Sequence, residues 1–170
     1  RAMAGAGAVA AAVAEALGDS STVESVLEAA RRGAVIAEKQ GYPKGESRLL
    51  VLLDEMLELS AKNPDDAAFL AEVFRKIEYS MDCEETAAVV MAFFVRSGGD
   101  PMRAACLGAN LGGDTDTIGA LAAALCGAYS GTAKLDMDMI RKIEQVNHTN
   151  FKEKADSILT FISNTYNNKV

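Results

Sequence analysis

The sequence predicts an all-α protein, and three observations carry the prediction. Apolar residues recur at three- and four-residue spacing in almost every segment. No stretch alternates in the two-residue rhythm of a half-buried strand. Capping residues and Gly or Pro breaks divide the chain at helix-length intervals. With 49% hydrophobic residues, the 170-residue chain can bury one core, and it is read as one domain over 1–170.

Ala2 to Leu17 forms a first helix, rich in the strongest helix former and stopped by Gly18-Asp19-Ser20. Ser21 and Glu24 have capping-box spacing for a second, whose inward face is Val23, Val26, Leu27, Ala30, Ala34 and Val35. It ends near Gly41-Tyr42-Pro43. Ser47 to Ala61 is a third, with Leu50, Leu53 and Leu57 as its stripe, closed by Asn63-Pro64-Asp65. Asp65 caps a fourth running to about Ile77.

Asp82 and Glu85 repeat the capping spacing, and Thr86 to Arg96 turns Ala87, Val90, Met91 and Phe94 inward before the break at Ser97-Gly98-Gly99. Asp100-Pro101 restarts the chain as N-cap and first helical residue, and that helix ends near Asn110. Ile118 to Tyr129 is an apolar helix ended by Gly131. Asp136 to Val146 and Phe151 to Tyr166 follow. The total is about eight or nine helices, with no sheet, internal repeat or linker.

The formal charge of −7 comes from acids spread along the chain, with no Lys/Arg cluster to neutralise a row of phosphates, so nucleic acid is disfavoured as a partner. No segment reaches the ~18 uninterrupted apolar residues of a membrane span. The run after Arg1 has the outline of a signal peptide, but Glu15 interrupts it and Ala stands where Leu would be expected. An interior helix of a longer protein is the simpler reading of a chain that opens without Met. Cys83, Cys106 and Cys126 are odd in number, show no C-x-x-C spacing and lie in apolar helical patterns. They are expected to be buried and reduced, as in the cytoplasm.

The run Gly112-Gly113-Asp114-Thr115-Asp116-Thr117 carries the chemistry. Residues two apart in a regular helix are separated by ~200°, so Asp114 and Asp116 converge only if the chain is still irregular at Asp114. Gly112 and Gly113 supply that irregularity, because a residue without a Cβ takes positive φ and lets an ion approach the backbone. Two carboxylates and the hydroxyls of Thr115 and Thr117 are hard oxygen donors that suit magnesium or manganese better than zinc. Capping of the following helix explains one Asp as well. It leaves the second Asp and the paired glycines unexplained, and adjacent like charges are costly without a cation. Small residues at Gly119, Ala123, Gly127 and Gly131 give that helix a thin face, expected to pack closely and hold the loop rigid.

The stretch Gly108-Ala109-Asn110-Leu111-Gly112-Gly113-Asp114-Thr115-Asp116-Thr117-Ile118-Gly119-Ala120, with the small-residue helix behind it, resembles the C-terminal signature of the ADP-ribosylglycohydrolase family. Glu85-Thr86-Ala87-Ala88 through Asp100-Pro101 resembles the helix and turn leading into it. The resemblance implies an all-helical fold around two Mg²⁺ ions, with Mn²⁺ as an alternative. It implies hydrolysis of the bond joining ADP-ribose to a protein side chain. By the same analogy Asp114, Asp116 and Thr117 are metal ligands, Asp114 and Asp116 take part in catalysis, and Gly112, Gly113 and Thr115 line the substrate. Asp116 is the carboxylate best suited to bridge two ions.

Family members carry a further paired-Asp motif in an N-terminal segment that this sequence does not contain. The chain is therefore expected to be the C-terminal part of the domain, lacking its N-terminal helices. Two magnesium ions need about twelve oxygen ligands, more than these residues provide. The remainder is expected from another part of the protein or from a separate chain, and the partner is an ADP-ribosylated protein or an ADP-ribose-like small molecule. Two other readings keep the fold: a hydrolase of free nucleosides or ribosyl compounds, and a non-catalytic relative of the crystallin kind. His148, in the turn Asn147-His148-Thr149-Asn150, is read as a solvated loop residue. Ser97 and Ser130 have no neighbouring His for a nucleophile arrangement. The alternation Asp136-Met137-Asp138-Met139 is read as a charged helix start.

Overall fold

A computed structural model describes residues 1–42, 47–77 and 82–167. Among the described residues there are nine α-helices and no strand. They are α1 (Ala2–Ala16), α2 (Val23–Gln40), α3 (Leu49–Lys62), α4 (Asp66–Ile77), α5 (Cys83–Ser97), α6 (Pro101–Leu111), α7 (Thr115–Ser130), α8 (Met137–Asn147) and α9 (Phe151–Asn167). A single 3₁₀ turn, Gly131–Lys134, follows α7. Two compact units result, Arg1–Lys134 and Leu135–Val170.

In the first unit α5 is the central element. Every residue from Ala87 to Phe94 is buried, so the helix is covered on all sides, by α1, α3, α6 and α7. A helix that is apolar all round is stable only in such a place. Asp82 begins it by accepting from the Glu84 amide at 2.8 Å, and Gly98, at φ +63°, ends it in the left-handed conformation that glycine adopts without steric cost. Helices α1 and α2 pack backbone to backbone through alanine and glycine. A Cβ on Gly7 would meet the Ala37 Cβ at 2.3 Å and the Gly33 carbonyl at 2.6 Å.

Several helix starts follow the sequence reading: Asp65 accepts from Ala68 N, and Asp100 from the amides of Met102 and Arg103 ahead of Pro101. The start of α2 is one residue later than expected. Thr22 and Ser25 form the reciprocal capping box, while the Ser21 hydroxyl turns back to the Ala16 carbonyl. The register of two faces also differs. In α3 the inward residues are Leu49, Leu52, Leu53 and Met56, leaving Leu50 exposed, and in α2 Ala29 is buried where Val35 is exposed. Alanine lets neighbouring backbones approach, so the closest-packed face need not be the one with the bulkiest side chains.

Two charged groups join helices inside this unit. The Arg96 side chain, only 6% exposed, donates from Nε to Asp66 at 2.6 Å and to the carbonyls of Ser60, Asn63 and Pro64, and its guanidinium lies 4.4 Å from the Phe69 ring centre. It satisfies the open carbonyl end of α3 and pins the α3–α4 turn to α5. Glu84 is 2% exposed. Its Oε2 lies 3.4 Å from the Arg48 amide, where α3 lacks a side-chain cap of its own, and 3.9 Å from Arg1 Nε.

The second unit holds α8 and α9. Asp136 caps α8 through the amides of Asp138 and Met139, which accounts for the acidic alternation there. His148, exposed at φ +50°, ends that helix as its C-cap, matching the loop reading. No helix among the described residues is long and apolar enough to cross a membrane. Pro43 lies outside the described residues. The cysteines divide: Cys126 is buried, but Cys83 and Cys106 are exposed, against the expectation that all three are interior. Cys83 is the first residue of α5, where the chain is only entering the core, and Cys106 lies on the outer side of α6.

Candidate metal and substrate site

The acidic run sits where α6 ends and α7 begins. Gly112 closes α6 at φ +88° and Gly113 follows at φ +68°, two successive residues in the region that side chains avoid. The chain then passes through Asp114 at φ −79°, ψ 57°, outside helical geometry, before α7 starts at Thr115. The irregularity required at Asp114 is therefore present. The helix begins three residues before the expected Ile118, so Asp116 and Thr117 stand in its first turn. Acidic and hydroxyl residues there face the positive end of the helix macrodipole, which offsets their weaker intrinsic helix propensity.

Asp114 occupies the N-cap position without capping. Its backbone carbonyl accepts from Ile118 N at 3.1 Å, but its side chain accepts nothing from the helix. Asp82, Asp100 and Asp136, in the same position of other helices, each spend a carboxylate oxygen on the amides of the first turn. Among the described residues neither Asp114 nor Asp116 takes part in a side-chain hydrogen bond or an ion pair. Asp114 and Thr115 are half-buried, and Asp116 and Thr117 are exposed. The first-turn amides of Asp116 and Thr117 have no intrahelical carbonyl to reach. The site thus offers two uncommitted carboxylates, two hydroxyls and two open N–H donors, on one turn.

Both flanks hold this turn in place. Behind it α6 and α7 cross through Gly108 and Gly119. The thin face of α7 is real at that end only: Gly127 has nothing within 4 Å of an added Cβ, and the buried face runs through Ile118, Gly119, Ala122, Leu125 and Cys126. In front, the Phe74 ring lies against Gly112. A cleft of about 620 Å³ between α4 and α6, with Asp66, Leu70, Phe74, Arg103 and Asn110 on its walls, ends at the same glycine. Sequence periodicity missed Phe74, because the buried face of α4 is Phe69, Leu70, Val73 and Ile77 and Phe74 stands beside it.

The donor set fits a hard divalent cation such as Mg²⁺ in kind but not in number. Among the described residues no group of three or more His, Cys, Asp or Glu is placed to hold a metal ion. Ser97 is tied to the Phe94 carbonyl and to Cys126 Sγ at 3.3 Å, and the Ser130 hydroxyl to the Gly99 carbonyl, so neither is poised as a nucleophile.

Comparison with known proteins identifies the family of the chain. An Escherichia coli (strain K12) protein described as "Uncharacterized protein YegU" is 45% identical over 62 residues, a stretch that covers 36% of this chain and 19% of the relative. No solved structure matches significantly. The ADP-ribosylglycohydrolase family matches residues 1–168, essentially the whole chain. With its helical architecture and the Gly-Gly-Asp-Thr-Asp-Thr turn, the chain belongs to the ADP-ribosylglycohydrolase family.

Proposed function

We propose that this protein takes part in magnesium-dependent hydrolysis of the glycosidic bond between ADP-ribose and a protein side chain, with ligands beyond Asp114, Asp116 and Thr117 needed to complete the metal site. The observation that carries the reading is the idle carboxylate of Asp114. A residue kept for helix stability would cap α7, as Asp100 caps α6, and this one leaves its oxygens open two residues before a second acid without a side-chain partner. Asp114, Asp116 and Thr117 would hold Mg²⁺, which when bound supplies Lewis-acid stabilisation of developing negative charge and lowers the pKa of water. Gly112 and Gly113, having no side chains, leave room for a ribose to approach the backbone, and Thr115 offers a hydroxyl beside it. Asp114 is the residue we assign to orienting the attacking water. That water's oxygen bonds to the anomeric carbon as the bond to the side chain breaks, and the leaving group takes up a proton.

The test is release of free ADP-ribose from an ADP-ribosylated protein by the complete protein. Activity is expected to need Mg²⁺ or Mn²⁺ and to collapse in Asp116→Asn with helix content unchanged. Activity that survives full chelation with EDTA would falsify the metal reading. Running arginine-linked, serine-linked and free nucleoside substrates in parallel identifies the leaving group, and inactivity on all of them would favour the non-catalytic relative.

A further inference from the structure

Consecutive glycines at positive φ have many conformations open to them, so something must select the one that leaves Asp114 outside α7. Backbone hydrogen bonding does little of this. Within the turn, Thr115 N donates to the Gly113 carbonyl at 2.9 Å, and the next bond is already helical. The space beside Gly112 is instead filled by a side chain. A Cβ built on Gly112 would fall 2.9 Å from Phe74 Cε2 and 3.2 Å from Cδ2, so the edge of the ring occupies the space that a side chain at 112 would take. Phe74 is half-buried at the edge of the core, on α4, 38 positions before the turn it touches. Ring and glycine both face the α4–α6 cleft.

We propose that Phe74 is a positioning residue for Asp114 and Asp116: its ring wedges Gly112 into its extended, positive-φ conformation and so fixes where α7 begins. A residue at 74 without a ring, alanine or leucine, does not present the rigid flat edge that lies against Gly112, and Gly112-Gly113 then samples conformers in which Asp114 joins the helix. This rests on the proposed metal role of the acidic pair, but the conformational part stands apart from it and is measured apart from it.

The experiment compares Phe74→Ala, Phe74→Leu and Phe74→Tyr in the complete protein by hydrogen exchange and by calorimetric titration with Mg²⁺ alone. In Phe74→Ala the amides from 113 to 117 are expected to exchange at least about tenfold faster while those of α5 keep their protection. Mg²⁺ affinity is expected to fall by about 10–100-fold, the range seen when the support of a ligand is removed. Phe74→Tyr, which keeps the ring edge, restores both. Should the alanine variant fail to fold, Phe74→Leu gives the same reading, because it fills volume without a flat edge. Unchanged exchange at 113–117 with α5 intact overturns the proposal. Faster exchange in a protein whose wild type binds no Mg²⁺ overturns the metal reading and leaves the wedge standing.

Discussion

A Cβ on Gly108 would lie 2.4 Å from the Cα of Gly119 and 2.7 Å from its amide nitrogen. Helices α6 and α7 therefore touch backbone to backbone, about a turn behind the acidic loop on each side. The relationship is not symmetric, since a Cβ on Gly119 would meet nothing nearer than 3.7 Å. Gly108→Ala is expected to destabilise by about 1–3 kcal/mol, the usual range for forced overpacking. Gly119→Ala is expected to be neutral or to gain up to about 1 kcal/mol from helix propensity. Urea melts of the two variants check this, and equal losses would contradict the geometry.

Asp114 and Asp100 should respond in opposite ways to the same change. Asp100→Ala removes two cap bonds and is expected to cost about 0.5–2 kcal/mol, with the site intact. Asp114→Ala removes none and should leave the melt within about 0.5 kcal/mol of wild type. Its activity should nonetheless fall by more than the roughly 10–100-fold that outer-shell partners cost. A large loss of stability in Asp114→Ala would return this residue to a merely structural role.

Arg96 is the tie whose loss should be felt furthest from its own position. Arg96→Lys keeps the charge but not the fork that reaches Asp66 and three carbonyls at once. A loss of more than about 2 kcal/mol is expected, since bonds from a charged donor are worth about 1.5–3 kcal/mol each. Limited proteolysis should then cut first around Ser60 to Asp66. Cleavage elsewhere would show that the turn holds itself.

Thiol chemistry separates the three cysteines. Burial pushes the Cys126 thiol up from the usual range, and nearby Asp100 adds to this, while the Ser97 hydrogen bond and Lys134 pull the other way. Ellman titration of the native protein at neutral pH should count two thiols quickly, Cys83 and Cys106, and the third only after unfolding. The sign for stability follows from the raised value. The contribution is fully present below the unfolded thiol's pKa and is lost as pH rises through the folded one, because the unfolded chain releases that proton first. Cys126→Ala should flatten the alkaline limb of the stability profile.

Much of this architecture is legible because its punctuation is local. Asp65, Asp100-Pro101, Gly98 and Asp136 act through their own backbone neighbours, and each marks a helix end in the sequence as in the structure. The acidic turn is legible for the same reason, down to the irregular Asp114. What the sequence hides is tertiary. The inward register of α3 depends on what α5 presents to it, and Phe74 touches Gly112 across a gap that no local spacing records. Arg96 reads as an ordinary basic residue in the last turn of α5 until Asp66 and the end of α3 are placed beside it.

Helix α5 also has a life before the fold exists. Ala87 to Val95 is nine residues without a charge, rich in valine and phenylalanine, and the native state hides nearly all of it. On a nascent or unfolded chain the same segment is a strand-prone, sticky peptide of the kind that chaperones hold and aggregates recruit. Glu84 and Glu85 on one side and Arg96 on the other are its gatekeepers, fencing the run with charge until its neighbours close over it. Neutralising that fence should therefore show first as insoluble protein in the cell, ahead of any change in the chemistry of the folded molecule.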